Sequence, residues 1–487
     1  MKKNMQKYLI GGVSVLTLGL LGACGSSNGE ANNETGTTKV TWYQVGEEPK
    51  DFDEVMTKVN EKLKEEINVE LDMRLIPDGD YQQKLGVMIN SGEEYDICFV
   101  NGTDYVNYGN KGAFISLNDH LDKELKDYAA ELNEGFIEGG AINGETYGLP
   151  VNNDIATTEY WTFNKDLDQL DVENVEGVET LAPVLEKFAE KNTDTNITPI
   201  GMTRTSVCIP YDNIIGGGVP LAVAFEGDTQ TVVNTYETPE MMTYLKAMHE
   251  FYKKGYILKD AATVTTDPFR IDSKNWFLGR NSSGYQPLAQ KKLEALAGHG
   301  LILKPAGKAF KTTGFARVAM HAVSASSKHP EAALKLLNYV NTNQEVADLM
   351  VYGIEGKHYD RNEDGSITLT NSDDYYQGAW ALVNTYLVSK TSPITEESKK
   401  LEEESKKFQN EAPMSPILGF SFDASDFRTE IASVQNIVSQ YEVLLSSGTV
   451  DPEQYVPELL EKLEKAGLDK IQASAQEQYD EWRKSNK

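Results

Sequence analysis

The chain reads as an α/β protein of two or more lobes, and three observations lead there. From residue 39 onward, short β-branched and aromatic runs alternate with amphipathic stretches, the pattern of strands and helices that builds a parallel sheet. The 487 residues exceed the ~100–200 of a single domain. Hydrophobic residues make up 40% and charged residues 25%, an ordinary globular balance with enough apolar surface for a sizeable core.

The first strand is Lys39-Val40-Thr41-Trp42-Tyr43, closing on Gln44-Val45-Gly46. Residues 51–67 carry Phe52, Val55, Val59 and Leu63 at helical spacing with charges opposite. Residues 69–76 alternate as a second strand, residues 81–89 form a second helix, and Tyr95-Asp96-Ile97-Cys98-Phe99-Val100 is a third strand. Ligands of such sheets bind beyond the carboxyl ends of the strands, which singles out Tyr43 and Gln44 and the loop over residues 101–108. Next come Ala113-Phe114-Ile115-Ser116-Leu117, a helix around residues 121–132, an Asn143-Gly144 hairpin turn, and a polar extended stretch from Pro150 to Asp154. Phe163-Asn164-Lys165-Asp166-Leu167 is expected to open a helix, and residues 181–189 form another. An apolar, glycine-rich loop spans 209–220, a strong helix 239–252, and a strand 275–280 ahead of the polar loop Asn281-Ser282-Ser283-Gly284. A strand region over 312–324 and a helix over 330–340 follow, and the tail from Glu396 is mostly helical. Trp42, Trp161 and Trp482 are expected in the core.

The N-terminus has its own logic. Lys2, Lys3 and Lys7 precede an apolar run over 10–21 too short to span a bilayer comfortably, and Leu21-Gly22-Ala23-Cys24 follows; together they form a secretory signal. Leu21-Gly22-Ala23-Cys24 resembles a bacterial lipobox, which implies removal of residues 1–23 and diacylation of Cys24. An ordinary signal peptide cut after Ala23 would leave a free cysteine instead. Residues 24–38, rich in Gly, Ser, Asn and Thr, make a flexible tether. After residue 24 no apolar run is long enough for a second span.

The formal net charge of −29 argues against nucleic acid or an anionic lipid surface as partner. With Cys24 lipidated, Cys98 and Cys208 remain; at most one bridge can form, and apolar surroundings favour two buried free thiols. The six histidines never fall at metal spacing, and no zinc, nucleophile-elbow or intact phosphate-loop motif occurs. No metal or cofactor is expected. Asp360 to Ile367 matches the start of a calcium loop, but Asn371 stands where a bidentate Glu is needed. A hairpin with an Asp-Gly turn explains those residues more simply.

Several segments jointly resemble the extracellular solute-binding proteins of ABC transporters, of the maltose-binding type. They are Lys39 to Trp42, Tyr95 to Phe99, Tyr147-Gly148-Leu149-Pro150 with Phe163 to Leu167, and Ser324 to Ala333. Tyr352 to Tyr359, Pro416 to Asp423 and Glu477 to Trp482 are similar to a Gram-positive lipoprotein branch with a C-terminal domain of unknown function. The resemblance implies a two-lobed, periplasmic-binding-protein-like α/β fold of class II, with hinge-linked lobes and a ligand cleft between them. It puts the first lobe at 39–149 and 310–345 and the second at 150–309 and 346–487. It further implies a monomeric, non-enzymatic receptor, held at the outer face of the membrane through Cys24. Such a receptor captures a small molecule, an oligosaccharide foremost, and presents it to ABC permease subunits. A peptide or other solute receptor and a surface glycosidase remain the alternatives.

Sugars have apolar ring faces and polar rims, so a sugar cleft needs aromatic platforms beside Asp, Asn, Gln and Arg. Carried over by position, the resemblance gives Tyr43, Gln44, Asn101, Asp104 and Tyr105 on the first lobe and Asn152 and Asp154 at the crossing. On the second lobe it gives Tyr211, Trp276, Arg280, Phe420 and Phe422.

Overall fold

The computed structural model describes residues 36–486, except 168–171, 203–206, 217, 265–267, 282–283 and 285–286, and except the side chains of Thr103, Arg280 and Asn281. The signal peptide, Cys24 and most of the tether therefore lie outside the described residues, as do Ser282 and Ser283 of the expected polar loop.

The first half of the fold is built on a five-stranded sheet in the order Val69–Ile76, Thr38–Val45, Ile97–Val100, Met320–Val323, Gly148–Pro150. The first three strands run parallel, with Trp42 level with both Met73 and Ile97, as the strand–helix alternation predicts. Met320–Val323 is antiparallel to its neighbours on both sides. The helix Phe52–Ile67 buries Phe52, Val55, Val59 and Leu63, the predicted face. It ends where Asn68 adopts φ 56° and returns its N–H to the Leu63 carbonyl, a left-handed cap. The helix Pro330–Thr342 begins on proline, whose missing N–H costs nothing at that position. Asn143 and Gly144 both have positive φ, and the bridge of Ile142 with Glu145 closes the expected tight turn.

The second sheet is four-stranded, in the order Leu301–Pro305, Tyr160–Asn164, Trp276–Asn281, Thr198–Ile200. Here one expectation fails: Phe163 does not open a helix. Residues Tyr160–Asn164 are a central strand, all five buried, and only a single 3₁₀ turn, Lys165–Leu167, follows. A strand buried on both faces lacks the alternation that identifies a half-exposed one, so its end was open to misreading. Three C-terminal helices, Arg428–Ser446, Pro452–Lys465 and Leu468–Ser485, pack on this half. Val434, Leu459 and Ile471 join Phe163, Phe277 and Met248 in one core.

Residues 346–388 pack with the first core. Val346, Met350, Val351, Tyr375, Leu382 and Val383 are buried with Val40, Trp42, Val59 and Leu337 of the first half, not with the second. The helix Gln344–Tyr352 presents its apolar face to Phe52–Ile67, so the first core extends some forty residues past the expected boundary. Within this stretch Tyr359–Arg361 and Ile367–Leu369 form an antiparallel hairpin with Gly365 at φ 85°. Asp364 accepts from Ser366 N, Ser366 Oγ and Ile394 N, so its carboxylate serves the turn.

Three segments connect the halves. Ala156–Thr157 pairs antiparallel with Phe310–Lys311, and Lys311 bridges in parallel to Met414. Gln409, on the helix Glu396–Glu411, completes this hinge: its Oε1 accepts from Ile155 N at 3.0 Å and Ala156 N at 2.8 Å, and its Nε2 donates to Ala156 O at 2.8 Å. A side-chain amide here takes the part of a neighbouring strand.

Candidate ligand-binding cleft

A cavity of about 770 Å³ opens where the second sheet meets the hinge. Three things put it there. Tyr160–Asn164 enters the second half directly from the hinge, Leu301–Pro305 runs antiparallel back towards it, and both contribute flanking residues, Thr157 to Glu159 and Ala306 to Lys308. Its apolar wall includes Trp161, Phe310 and Phe225, the last two stacked at 4.2 Å between ring centres. Polar groups ring that wall. Tyr211 donates its O–H to Glu240 Oε2 at 3.0 Å, and Lys308 pairs with Glu226 while lying 5.3 Å over the Phe310 ring. Asp212 lies deeper, its Oδ2 shut off from water and accepting no hydrogen bond; burial pushes its carboxyl up to about 6. Cys208 also lines the cavity as a free thiol raised to about 11 by burial, and Cys98 is free and buried in the first half. A volume of this size, with aromatic faces and converging polar groups, suits a small organic ligand of several rings.

Of the sequence-predicted residues whose side chains are described, Tyr211 alone is among those lining this cavity. Asp154 and Asn152 lie on the crossing. Asp154 accepts the Tyr386 hydroxyl at 2.5 Å, and Asn152 is buried, its Nδ2 on the Glu131 carbonyl at 3.0 Å. Asn152 Oδ1 is buried and accepts no hydrogen bond. Asn101 and Asp104 sit half-buried at the start of the helix Gly102–Asn110, Asn101 accepting from Gln82 at 3.2 Å and Asp104 raised by desolvation.

The others belong to the packing. Tyr43 is buried, donating to Glu93 at 2.6 Å and accepting from Arg74 at 2.7 Å. Gln44 is buried, its Nε2 on the Ala381 carbonyl at 2.8 Å. Tyr105 is buried with its hydroxyl on Gly140 O at 2.7 Å. Trp276 is only 2% exposed; its N–H reaches Arg270 O, and its Cβ sits where a Cβ on Gly201 would come within 2.4 Å. Phe420 and Phe422 are buried, Phe420 against Tyr479 and Trp482 and Phe422 against Phe427. These six share one arrangement. Each side chain fills a core or closes a hydrogen-bond network, and none presents a face to the cleft. The Arg280 side chain lies outside the described residues.

Sequence reasoning missed Trp380 and Tyr376, which are 51% and 49% exposed. Trp380 holds edge contact with Phe99 at 6.2 Å, beyond the first sheet, and its carbonyl accepts from Asn153 on the crossing at 2.9 Å. Trp380 is thus an exposed indole held beside the crossing. It lies in the stretch of residues 346–388 that packs with the first core. Among the described residues, no group of three or more His, Cys, Asp or Glu side chains is placed to hold a metal ion.

The family model for bacterial extracellular solute-binding proteins matches residues 58–354, and that of a domain of unknown function (DUF3502) matches residues 416–484. A carbohydrate ABC transporter substrate-binding protein of Streptococcus pneumoniae serotype 4 (strain ATCC BAA-334 / TIGR4) is 34% identical over 503 residues, covering 100% of both chains. The crystal structure of the N-glycan transport solute binding protein (NgtS) from Streptococcus pneumoniae superposes with a TM-score of 0.83 at 32% identity, covering 92% of this chain and 100% of that one. Its complex with Man1GlcNAc superposes at 0.72, with the same identity and coverage.

Proposed function

The chain belongs to the bacterial extracellular solute-binding proteins, and from that premise we propose that it is the substrate-binding component of a carbohydrate ABC importer. The observation that carries this is the end-to-end match, in sequence and in fold, to pneumococcal proteins named for carbohydrate and N-glycan transport. The protein binds an oligosaccharide between its lobes and hands it to the permease; it performs no chemistry on it. The cavity beside Trp161, Tyr211 and Asp212 is one half-site, and the Trp380 face with Asn153 and Asp154 is the other. We take the first lobe as residues 39–149 and 310–388, following the packing of the first core, and the second as residues 150–309 and 413–487. Residues 310–312 belong to the hinge pairing as well. A ligand that touches both half-sites stabilises the closed arrangement by its extra contacts, and closure is what a permease can sense. The lower TM-score against the glycan complex than against the other structure of the same relative supports such a change of arrangement. A diacylated Cys24 tethers the monomer to the membrane through residues 25–38.

Calorimetric titration with a panel of glycans and peptides tests the reading. It expects saturable one-to-one binding of a glycan, unchanged on recovery. Release of a cleaved product would replace it with a hydrolase, and binding of peptides alone with a peptide receptor.

A further inference from the structure

We infer that the cavity admits electrically neutral oligosaccharides and turns away those bearing carboxylates. The inference rests on the carbohydrate reading above and narrows its substrate class. Six carboxylates line the cavity, those of Glu159, Glu176, Glu179, Asp212, Glu226 and Glu240. Among the described residues the lining holds one cation, Lys308, and that is already paired with Glu226. Among the described lining residues an anionic sugar therefore meets no uncommitted positive charge. Asp212 sharpens the point. Its Oδ2 accepts no hydrogen bond and is removed from water, and the rise of its carboxyl to about 6 reports how poorly that site tolerates negative charge. A second carboxylate brought alongside would add like-charge repulsion where solvent screening is weak. Neutral sugars offer the complement: hydroxyl O–H and acetamido N–H groups donate to carboxylate oxygens, and ring faces lie on the Phe225–Phe310 stack. The chain's net charge of −29 repels anions on approach in the same sense.

The test titrates the full mature chain with three probes at low and high salt: a mannose–N-acetylglucosamine disaccharide, the same sugar capped with a sialic acid, and a digalacturonate. The neutral disaccharide should bind, and both anionic probes should bind about tenfold or more weakly than it does, the gap narrowing as salt screens the repulsion. A Glu176→Gln, Glu179→Gln double variant should narrow the gap at low salt. Equal or tighter binding of either anionic probe overturns the inference and leaves the carbohydrate reading intact. Tight binding of a peptide with none of the three sugars overturns both.

Discussion

Gln409 offers the sharpest test of how the hinge is held. Replacing it with alanine removes three hydrogen bonds, two accepted from Ile155 N and Ala156 N and one donated to Ala156 O, all at 2.8 to 3.0 Å. Ile155 and Ala156 are themselves buried, so their backbone groups lose partners without meeting bulk water. A buried donor or acceptor left alone costs ~1–3 kcal/mol. Water entering the space vacated by the side chain recovers part of this, and the expected local loss is ~2–4 kcal/mol. Amide hydrogen exchange reads that quantity directly. At tenfold per ~1.4 kcal/mol, the protection of Ile155 and Ala156 should fall about 30- to 700-fold, with the sheet amides of Trp42 and Phe163 much less affected. Gln409→Glu should lie between, since a carboxylate still accepts from both N–H groups but turns an acceptor towards the Ala156 carbonyl. Unchanged protection at residues 155 and 156 in the alanine variant would show that the amide is incidental and that strand pairing alone holds the crossing.

The two tryptophans should separate cleanly. Trp276→Ala, emptying a core site, should cost ~3–5 kcal/mol in denaturant unfolding, whereas Trp380→Ala should leave the melting curve nearly in place and weaken glycan binding about tenfold. The reverse pattern would exchange their roles. His321 is fully buried and lowered to about 3 by desolvation, with Nε2 3.0 Å from the Ala381 carbonyl. Because the unfolded chain takes up a proton near pH ~6.5 and the native state refuses it, the neutral ring's contribution is complete above ~6.5. It is lost at up to ~1.4 kcal/mol per pH unit as pH falls towards 3. The pH profile of unfolding midpoints should therefore be shallower for His321→Gln between pH ~6.5 and ~4.5, above the range of most carboxylates; parallel profiles would refute it. Cys24→Ala should move the protein from the cell surface to the medium with glycan affinity unchanged, as assayed on fractionated cells; retention on the membrane would remove the anchor.

The parallel part of the first half's sheet was legible because it comes with local traces. Val69–Ile76 alternates, Phe52–Ile67 has one apolar face, and Asn143-Gly144 is a turn no other dipeptide makes as easily. Strand Tyr160–Asn164 was harder to bound, because all five of its residues are buried, Phe163 edge-on against Phe277, and no alternation marks its end. The lobe of residues 346–388 was hidden for a different reason. An amphipathic helix records that it packs on something, never on what, and Val346 and Met350 read the same whichever core receives them.

The site was less legible than the fold, and the aromatic residues show why. The polar loop after Trp276 marks it as a candidate sugar platform, whereas the sequence does not single out Trp380. Yet Trp276 sits in a strand whose neighbour Gly201 has no Cβ to keep the indole away, so the ring is drawn into the core. Trp380 follows Gly378 in a short turn beyond the end of the first sheet, where Ala381 and Leu382 supply the buried contacts and the indole is left outside. The same distinction separates the carboxylates. Glu176, Glu179 and Glu240 are dispersed over two helical entries and look like ordinary surface charge until the chain folds them around one cavity with Asp212. Charge that is unremarkable along the sequence becomes selective only when tertiary structure collects it into a confined space. The neutral-sugar preference inferred here is for that reason a property of the fold rather than of any motif.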